Sequence, residues 1–465
     1  MSTARPDLVI RGGTVVTDSW SGAATVVVDG GRVTTLLDPG VGHDDMQATE
    51  ILDATGLLVL PGGVDPHCHV AVPLGEFVTL DSFETASLAA LAGGTTTIID
   101  FAIPGPGEGS ISALEAKLAM AKASRCDYAF HGCINAPGPD IPDVIRHYGE
   151  SGVRTVKLFT TYRGLLMVEI DTVERVMRAL NEVSGLTYVH AESNQLVEAA
   201  QAEAAAAGRI HAAGMARTRP EAAEARAVEE VLGAAERTGA PVYFVHQTIP
   251  AAVDGVIAAR QRGVPAFSES CPHYLVLDDT CYEGEHPERF VCCPPIRDRA
   301  AMTDLGNRLA MGYVHTVGSD HCCYDTGQKQ LRAHDVRAMP NGLPGVETRL
   351  PVVWDAYVAS GRISPERFVA ITATNPARLN GLYPRKGTIA PGADADLVLF
   401  DPSVSKTVRS AELHMESDYT PYEGRHVSGW PQTVLAGGRV VVRDGEVSDP
   451  GPVGRFLPAG PITLT

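Results

Sequence analysis

Two kinds of apolar spacing divide the chain. Over the first sixty residues, short apolar runs at 8–10, 14–17 and 25–28 are separated by Gly12-Gly13 and by Asp29-Gly30-Gly31, the spacing of short strands and tight turns. Near the other end, residues 434–441 (VLAGGRVV) echo residues 9–16 (VIRGGTVV), and residues 396–401 (DLVLFD) enclose a four-residue apolar strand. Both termini are therefore expected to pair into one small β-sandwich, from residues 1–56 and 383–465, the latter ending in an oligomer-contacting tail.

Between them, over residues 57–382, apolar runs of β character alternate with Ala-rich amphipathic stretches such as 86–92 and 221–237. Eight such runs end near His67, Asp100, Cys133, Lys157, His190, His246, Glu269 and Asp320. Eight strand-and-helix units predict an α/β fold, a (β/α)8 TIM-like barrel, and about 325 residues leave room beyond the usual ~250 for active-site insertions. A doubly wound open sheet is disfavoured, because no Gly-rich phosphate loop follows the first strand.

Composition narrows the class. The 465 residues are 44% hydrophobic and 20% charged, enough apolar material for a large core. Lys and Arg number 38 against 56 acidic residues, a formal charge of −18. Such a surface repels phosphate backbones and anionic headgroups, so neither nucleic acid nor a membrane is an expected partner. Residues 1–10 lack a basic, apolar leader pattern, and no apolar run approaches the ~20 residues of a membrane span. The nine cysteines include two adjacent pairs, Cys292-Cys293 and Cys322-Cys323, which suit free thiols in a reducing compartment. A cytoplasmic location is expected.

The candidate chemistry lies at the run-ends, because strand C-termini in a barrel converge on one mouth. His67 and His69, two apart on a strand, leave the same face and can grip one divalent ion such as zinc. H-x-H is weak alone; its support is that His190, His246 and Asp320 each close a further run. Four histidines and a carboxylate suggest two ions, which repel each other and need an anionic bridge. The fourth run-end offers no carboxylate but Lys157, costly as a buried ammonium. Two readings stay open from the residues: a lysine that snorkels to the surface, or an amine that has captured CO₂ as a bridging carbamate.

The ordered segments 61–69 (PGGVDPHCH), 156–164 (VKLFTTYRG), 189–192 (VHAE), 271–274 (CPHY), 293–297 (CPPIR), 318–321 (GSDH), 340–347 (PNGLPGVE) and 418–424 (DYTPYEG) span nearly the whole chain. Together they resemble the dihydropyrimidinase/hydantoinase family of cyclic-amide hydrolases, in the amidohydrolase superfamily. The resemblance implies that His67, His69 and Asp320 bind one ion, that His190 and His246 bind the second, and that N6-carboxylated Lys157 bridges two divalent ions, expected to be Zn2+. It also implies that Tyr162 donates its phenol to the developing oxyanion, while main-chain groups near Cys293 and Asn341 hold the ring. The implied reaction is attack of activated water on the carbonyl of a small cyclic amide, a dihydropyrimidine or 5-substituted hydantoin, with Asp320 moving the proton, to give an N-carbamoyl amino acid.

Residues in the loop 71–81 and after the lysine, Leu74, Phe77, Leu80, Phe159, Leu165 and Leu166, are candidate walls for a ring substituent. Two departures stand out from the pattern: Cys293 where serine is common, and Cys322-Cys323-Tyr324 for Cys-Pro-Phe. A dihydroorotase-like reading is disfavoured, because the arginine expected two places after the second histidine is Ala71. An allantoinase-type ureide hydrolase, a noncatalytic scaffold like the collapsin response mediator proteins, and a mononuclear hydrolase are the alternatives. A homo-oligomer, tetrameric by resemblance, is expected, with Phe456, Leu457 and Ile462 of the tail available to a partner.

Overall fold

The computed structural model describes residues 5–38, 48–136, 138 and 140–462, without the side chain of Leu74. Eight parallel strands pair in chain order: Gly63–Cys68, Thr95–Ala102, Asp127–Cys133, Thr155–Phe159, Leu186–His190, Val242–Phe244, Ala266–Ser270 and Thr316–Val317. A parallel bridge between Cys68 and His321 returns the last to the first, so the sheet closes as a (β/α)8 barrel. Each of the eight apolar runs supplies one strand. They read as continuous runs because both faces are covered: all eight residues of Thr95–Ala102 are buried.

The barrel interior is filled in layers. Phe101, His131, Tyr188 and Tyr243 stack side by side, with ring centroids 4.4, 4.3 and 4.0 Å apart along the series. This rigid aromatic layer forms the floor under the residues at the mouth. Below it, Val64, Ile99 and Ala129 pack with Ala377, Leu382 and Leu457 to plug the opposite end.

The second region contains a four-stranded sheet made from the N-terminal segment alone and a seven-stranded sheet made from both termini. In the latter, Leu397–Thr407 pairs antiparallel with Leu58–Pro61 and with His426–Ala436, so the two ends of the chain are hydrogen-bonded side by side. The strand Leu58–Pro61 belongs to this sheet although it lies beyond residue 56. Gly437-Gly438 is a hairpin turn between His426–Ala436 and Arg439–Arg443. Its echo, Gly12-Gly13, is instead a corner: Leu8–Arg11 lies in one sheet and Thr14–Val16 in the other. Gly12 has φ +83°, and a Cβ on Gly13 would sit 2.8 Å from Ala54 Cβ and Val59 Cγ2, so the close crossing of the sheets needs glycine.

The tail does not leave its apolar side chains free. Leu457 and Ile462 are buried, and Phe456 stacks on Phe130, against the chain's own barrel. Tyr128 N donates to Arg455 O and Leu457 N to Tyr128 O, extending the strand edge. The expectation that these three residues await a partner is corrected accordingly: the open end of the barrel needs an apolar cover, and the tail supplies it. All nine cysteines are free thiols. Among the described residues, no helix is long and apolar enough to cross a membrane.

Candidate active site

A cavity of about 420 Å³ opens at the C-terminal ends of the barrel strands. Its lining includes His69, Lys157, Tyr162, His190, His246, Cys293, Asp320 and Asn341, and His67 lies just beneath, fully buried. The nine residues singled out from sequence therefore meet in one place. Phe77, Phe159, Leu165 and Leu166 form apolar wall, joined by Val72, Ile103 and Met339, whereas Leu80 faces elsewhere. The side chain of Leu74 lies outside the described residues.

Three of these residues leave the strand conformation, among them the run-ends His246 and Asp320. Tyr162, His246 and Asp320 have φ of +67°, +36° and +49°, the left-handed region that a non-glycine residue enters at a cost. The strands stop at Phe244 and Val317, and a tight turn then tips His246 and Asp320 into the mouth.

The imidazoles are held in chosen orientations. One oxygen of Asp320 lies 3.1 Å from His67 Nε2 and 3.2 Å from His69 Nε2. On its other side, His67 Nδ1 is 2.7 Å from Glu269 Oε1. A carboxylate can only accept, so Nδ1 carries a proton, and Nε2, which makes no hydrogen bond, is the nitrogen left for a cation. Glu269 also accepts from Tyr243 Oη at 2.7 Å and from His246 N at 3.0 Å. In the same way His190 Nε2 meets Glu192 Oε2 at 2.6 Å, and Glu192 is in turn paired with Arg219. Burial pushes the Glu192 carboxyl up, but Arg219 and His190 beside it hold it at about 2. The Arg219 guanidinium also lies 4.8 Å over the Tyr162 ring.

Lys157 is buried between two aromatic faces, its Nζ 4.8 Å from the Phe101 centroid and 5.0 Å from that of Phe159. Among the described residues no hydrogen bond or ion pair closes on this Nζ. Burial lowers its pKa to about 8 against the pull of Asp320 and Glu269, so the neutral amine is accessible near physiological pH. Burial pushes the Tyr162 phenol well above its ordinary value, which keeps it protonated and able to donate.

The donor set suits cations. His67 Nε2 and His246 Nδ1 are buried without a hydrogen-bond partner, burial holds His246 well below its ordinary pKa, and the ligand atoms of His67, His69 and Asp320 cluster within 4.8 Å. The rings of His190 and His246 lie 4.6 Å apart, and those of His67 and His246 5.4 Å apart, so both imidazole pairs share one floor.

Other histidines left outside the site in the sequence reading have structural partners. His131 bonds Thr155 Oγ1 and Pro66 O, and His321 bridges Asp81 Oδ2 at 2.9 Å and Gly345 N at 3.1 Å. Sequence reasoning missed the supporting residues. Glu269 was visible only as a run-end acid, Glu192 only as part of VHAE, and Arg219 carried no signal.

A (β/α)8 barrel that gathers four histidines, a lysine and an aspartate at its mouth has the architecture of an amidohydrolase, and residues 295–441 match the amidohydrolase family. The chain is 38% identical to a D-hydantoinase of Geobacillus stearothermophilus, covering 95% of this chain and 94% of that one. It is 36% identical to the dihydropyrimidinase of Rattus norvegicus, over 98% and 89% of the two chains. The crystal structure of a dihydropyrimidinase from Brevibacillus agri NCHU1002 superposes with a TM-score of 0.94 at 36% identity, covering 98% of this chain and 99% of that one. The chain belongs to the hydantoinase/dihydropyrimidinase family.

Proposed function

We propose that this cyclic-amide hydrolase opens dihydropyrimidine or 5-substituted hydantoin rings to N-carbamoyl amino acids, using two divalent ions. What supports the reading most is the convergence of His67 and His69 on a single oxygen of Asp320, with His190, His246 and an unpaired Lys157 around the same cavity. His67, His69 and Asp320 would hold one ion and His190 and His246 the other, with Lys157 bridging as a carbamate. Ions so placed supply Lewis acidity, which makes hydroxide available near neutral pH. Zinc suits imidazole and carboxylate donors.

The chain's own groups do the rest. Glu269 and Glu192 fix which nitrogen of His67 and of His190 is free. Asp320 would take a proton from water and return it to the leaving ring nitrogen. Tyr162, protonated and stacked under Arg219, aims its phenol at the oxyanion that forms when the carbonyl is attacked. Main-chain groups near Cys293 and Asn341 orient the planar ring, and Phe77, Leu165 and Leu166 meet its substituent. Oligomerisation, as a homotetramer, and a cytoplasmic location belong to the same proposal.

Turnover of dihydrouracil, hydantoin and allantoin by the purified enzyme tests this reading. Ring opening of the first two, with allantoin poorest, is expected; preference for allantoin would overturn it in favour of a ureide hydrolase. No ring opening, together with well under one metal ion per subunit after growth with zinc, would favour a scaffold.

A further inference from the structure

Lys329 lies on the short helix Thr326–Leu331 and is completely buried, yet no carboxylate pairs with it among the described residues. Its ammonium donates instead to three main-chain carbonyls, Val291 O at 2.8 Å, Pro340 O at 2.9 Å and Gly342 O at 2.7 Å. Three protons meet three acceptors, and the ring of Tyr324 lies 5.4 Å away. Burying a cation without a counter-ion is expensive, and burial lowers this one to about 8. Nothing in the chemistry above uses it.

The three carbonyls share a location. Val291 stands two residues before Cys293, and Pro340 and Gly342 flank Asn341. Cys293, Asn341, Pro340 and Gly342 all line the cavity, whereas Lys329 lies behind them. The two segments also touch directly, since Gly342 N donates to Val291 O at 3.1 Å. Gly342 adopts φ +134°, and a Cβ there would approach Cys322 Cβ to 2.4 Å, so the second segment is pressed against the turn that follows Asp320.

We propose that Lys329 is the positioning residue of the substrate clamp: one ammonium, shared among three carbonyls, fixes the main-chain segments at Cys293 and Asn341 at the spacing that receives the ring. This rests on the reading that those segments hold the ring amide. Lys329 touches no substrate atom. Its loss frees two backbone stretches whose contacts with the ring are made in ground state and transition state alike, so binding should suffer before turnover. Arginine is no substitute, because its planar fork cannot point at three carbonyls around one atom.

The test uses the metal-loaded enzyme with dihydrouracil and hydantoin, comparing wild type, Lys329→Met and Lys329→Arg. KM in Lys329→Met should rise about tenfold or more on both rings, with kcat changed less than about threefold and metal content unchanged. Lys329→Arg should also raise KM. In wild type without substrate, the amide of Gly342 should exchange its hydrogen slowly, and in folded Lys329→Met faster. A folded Lys329→Met with wild-type KM, or one losing melting temperature and kcat while KM stays put, overturns the proposal. So does free exchange of the Gly342 amide in wild type, a measurement that decides alone if neither variant folds. A wild-type enzyme that opens no ring defeats the proposed function, whereas ring opening with an unmoved KM in Lys329→Met defeats only this inference.

Discussion

Replacing Glu269 by glutamine should weaken metal binding without unfolding the barrel. The carboxylate is fully buried and serves three donors: Oε1 accepts from His67 Nδ1 and His246 N, and Oε2 from Tyr243 Oη. A glutamine has one acceptor oxygen. If it takes the place of Oε1, the new amide N–H₂ faces Tyr243, whose hydroxyl can turn to the neighbouring Thr316 Oγ1. Every group then keeps a partner, and the loss is three charge-assisted hydrogen bonds replaced by neutral ones, about 1 kcal/mol each and ~3 kcal/mol together. The opposite amide orientation would put a donor against two donors and is excluded by that clash. What changes for the site is His67: without an anion behind Nδ1 its Nε2 is a poorer donor, and the loss of such support typically costs 10–100-fold in metal affinity. Competition with a graded chelator, read by elemental analysis of the protein fraction, should show half-depletion at a chelator concentration lower by about that factor, with an unchanged far-ultraviolet circular dichroism spectrum. A folded Glu269→Gln that holds metal as tightly as wild type would refute the assignment of Glu269 as the support of His67. Glu269→Ala, which leaves His67 Nδ1 and His246 N both unpaired, should be the more damaging change.

Three further outcomes follow from the geometry. Tyr162→Phe should lower kcat by about 10²–10³ with metal content unchanged, the usual loss for one oxyanion donor; a kcat within threefold would remove Tyr162 from the reaction. Cys293→Ser should change kcat/KM by less than about tenfold if only main-chain groups at that position meet the ring, and a larger loss would give the thiol a role of its own. At the barrel's other end, Lys386 Nζ pairs with Asp127 at 2.7 Å and Asp394 at 3.0 Å. Burial pushes both carboxyls up, but Lys386, with Arg455 beside Asp127 and Arg385 beside Asp394, holds them below their ordinary 3.8. Their contribution to stability is therefore complete above that ordinary value and is lost as pH falls through the depressed folded values. Lys386→Met should be destabilised at pH 7 in denaturant titrations and should close part of the gap to wild type as the pH falls below the ordinary 3.8 through the depressed folded values; a gap that widens on acidification would contradict the pairing.

The legible parts of the molecule are those in which one residue's type already carries its environment. Strands buried on both faces, such as Thr95–Ala102, write their burial into every residue, so all eight could be counted. His67, His190, His246 and Asp320 stood out because each closes or closely follows such a run. The echo of two Gly-Gly pairs was legible as two turns but not as two kinds of turn, since only the packing of Ala54 and Val59 against Gly13 makes the first a corner between sheets. The tail looked like surface for a partner because the barrel end that receives it is assembled from strands hundreds of residues away. Partnerships of that sort were invisible for the same reason. Glu269 reaches His67 across 202 positions, and Lys329 meets Val291 across 38. Arg219 lies in a connection between helices where nothing local marks it.

Counting metal ions per subunit in wild type and in Lys157→Ala, on preparations also assayed for ring opening, tests the two-ion site most directly. Two ions and ring opening are expected in wild type, and at most one ion with turnover lost in the variant. Two ions retained without Lys157, or ring opening that survives exhaustive chelation of the wild-type enzyme, would contradict it.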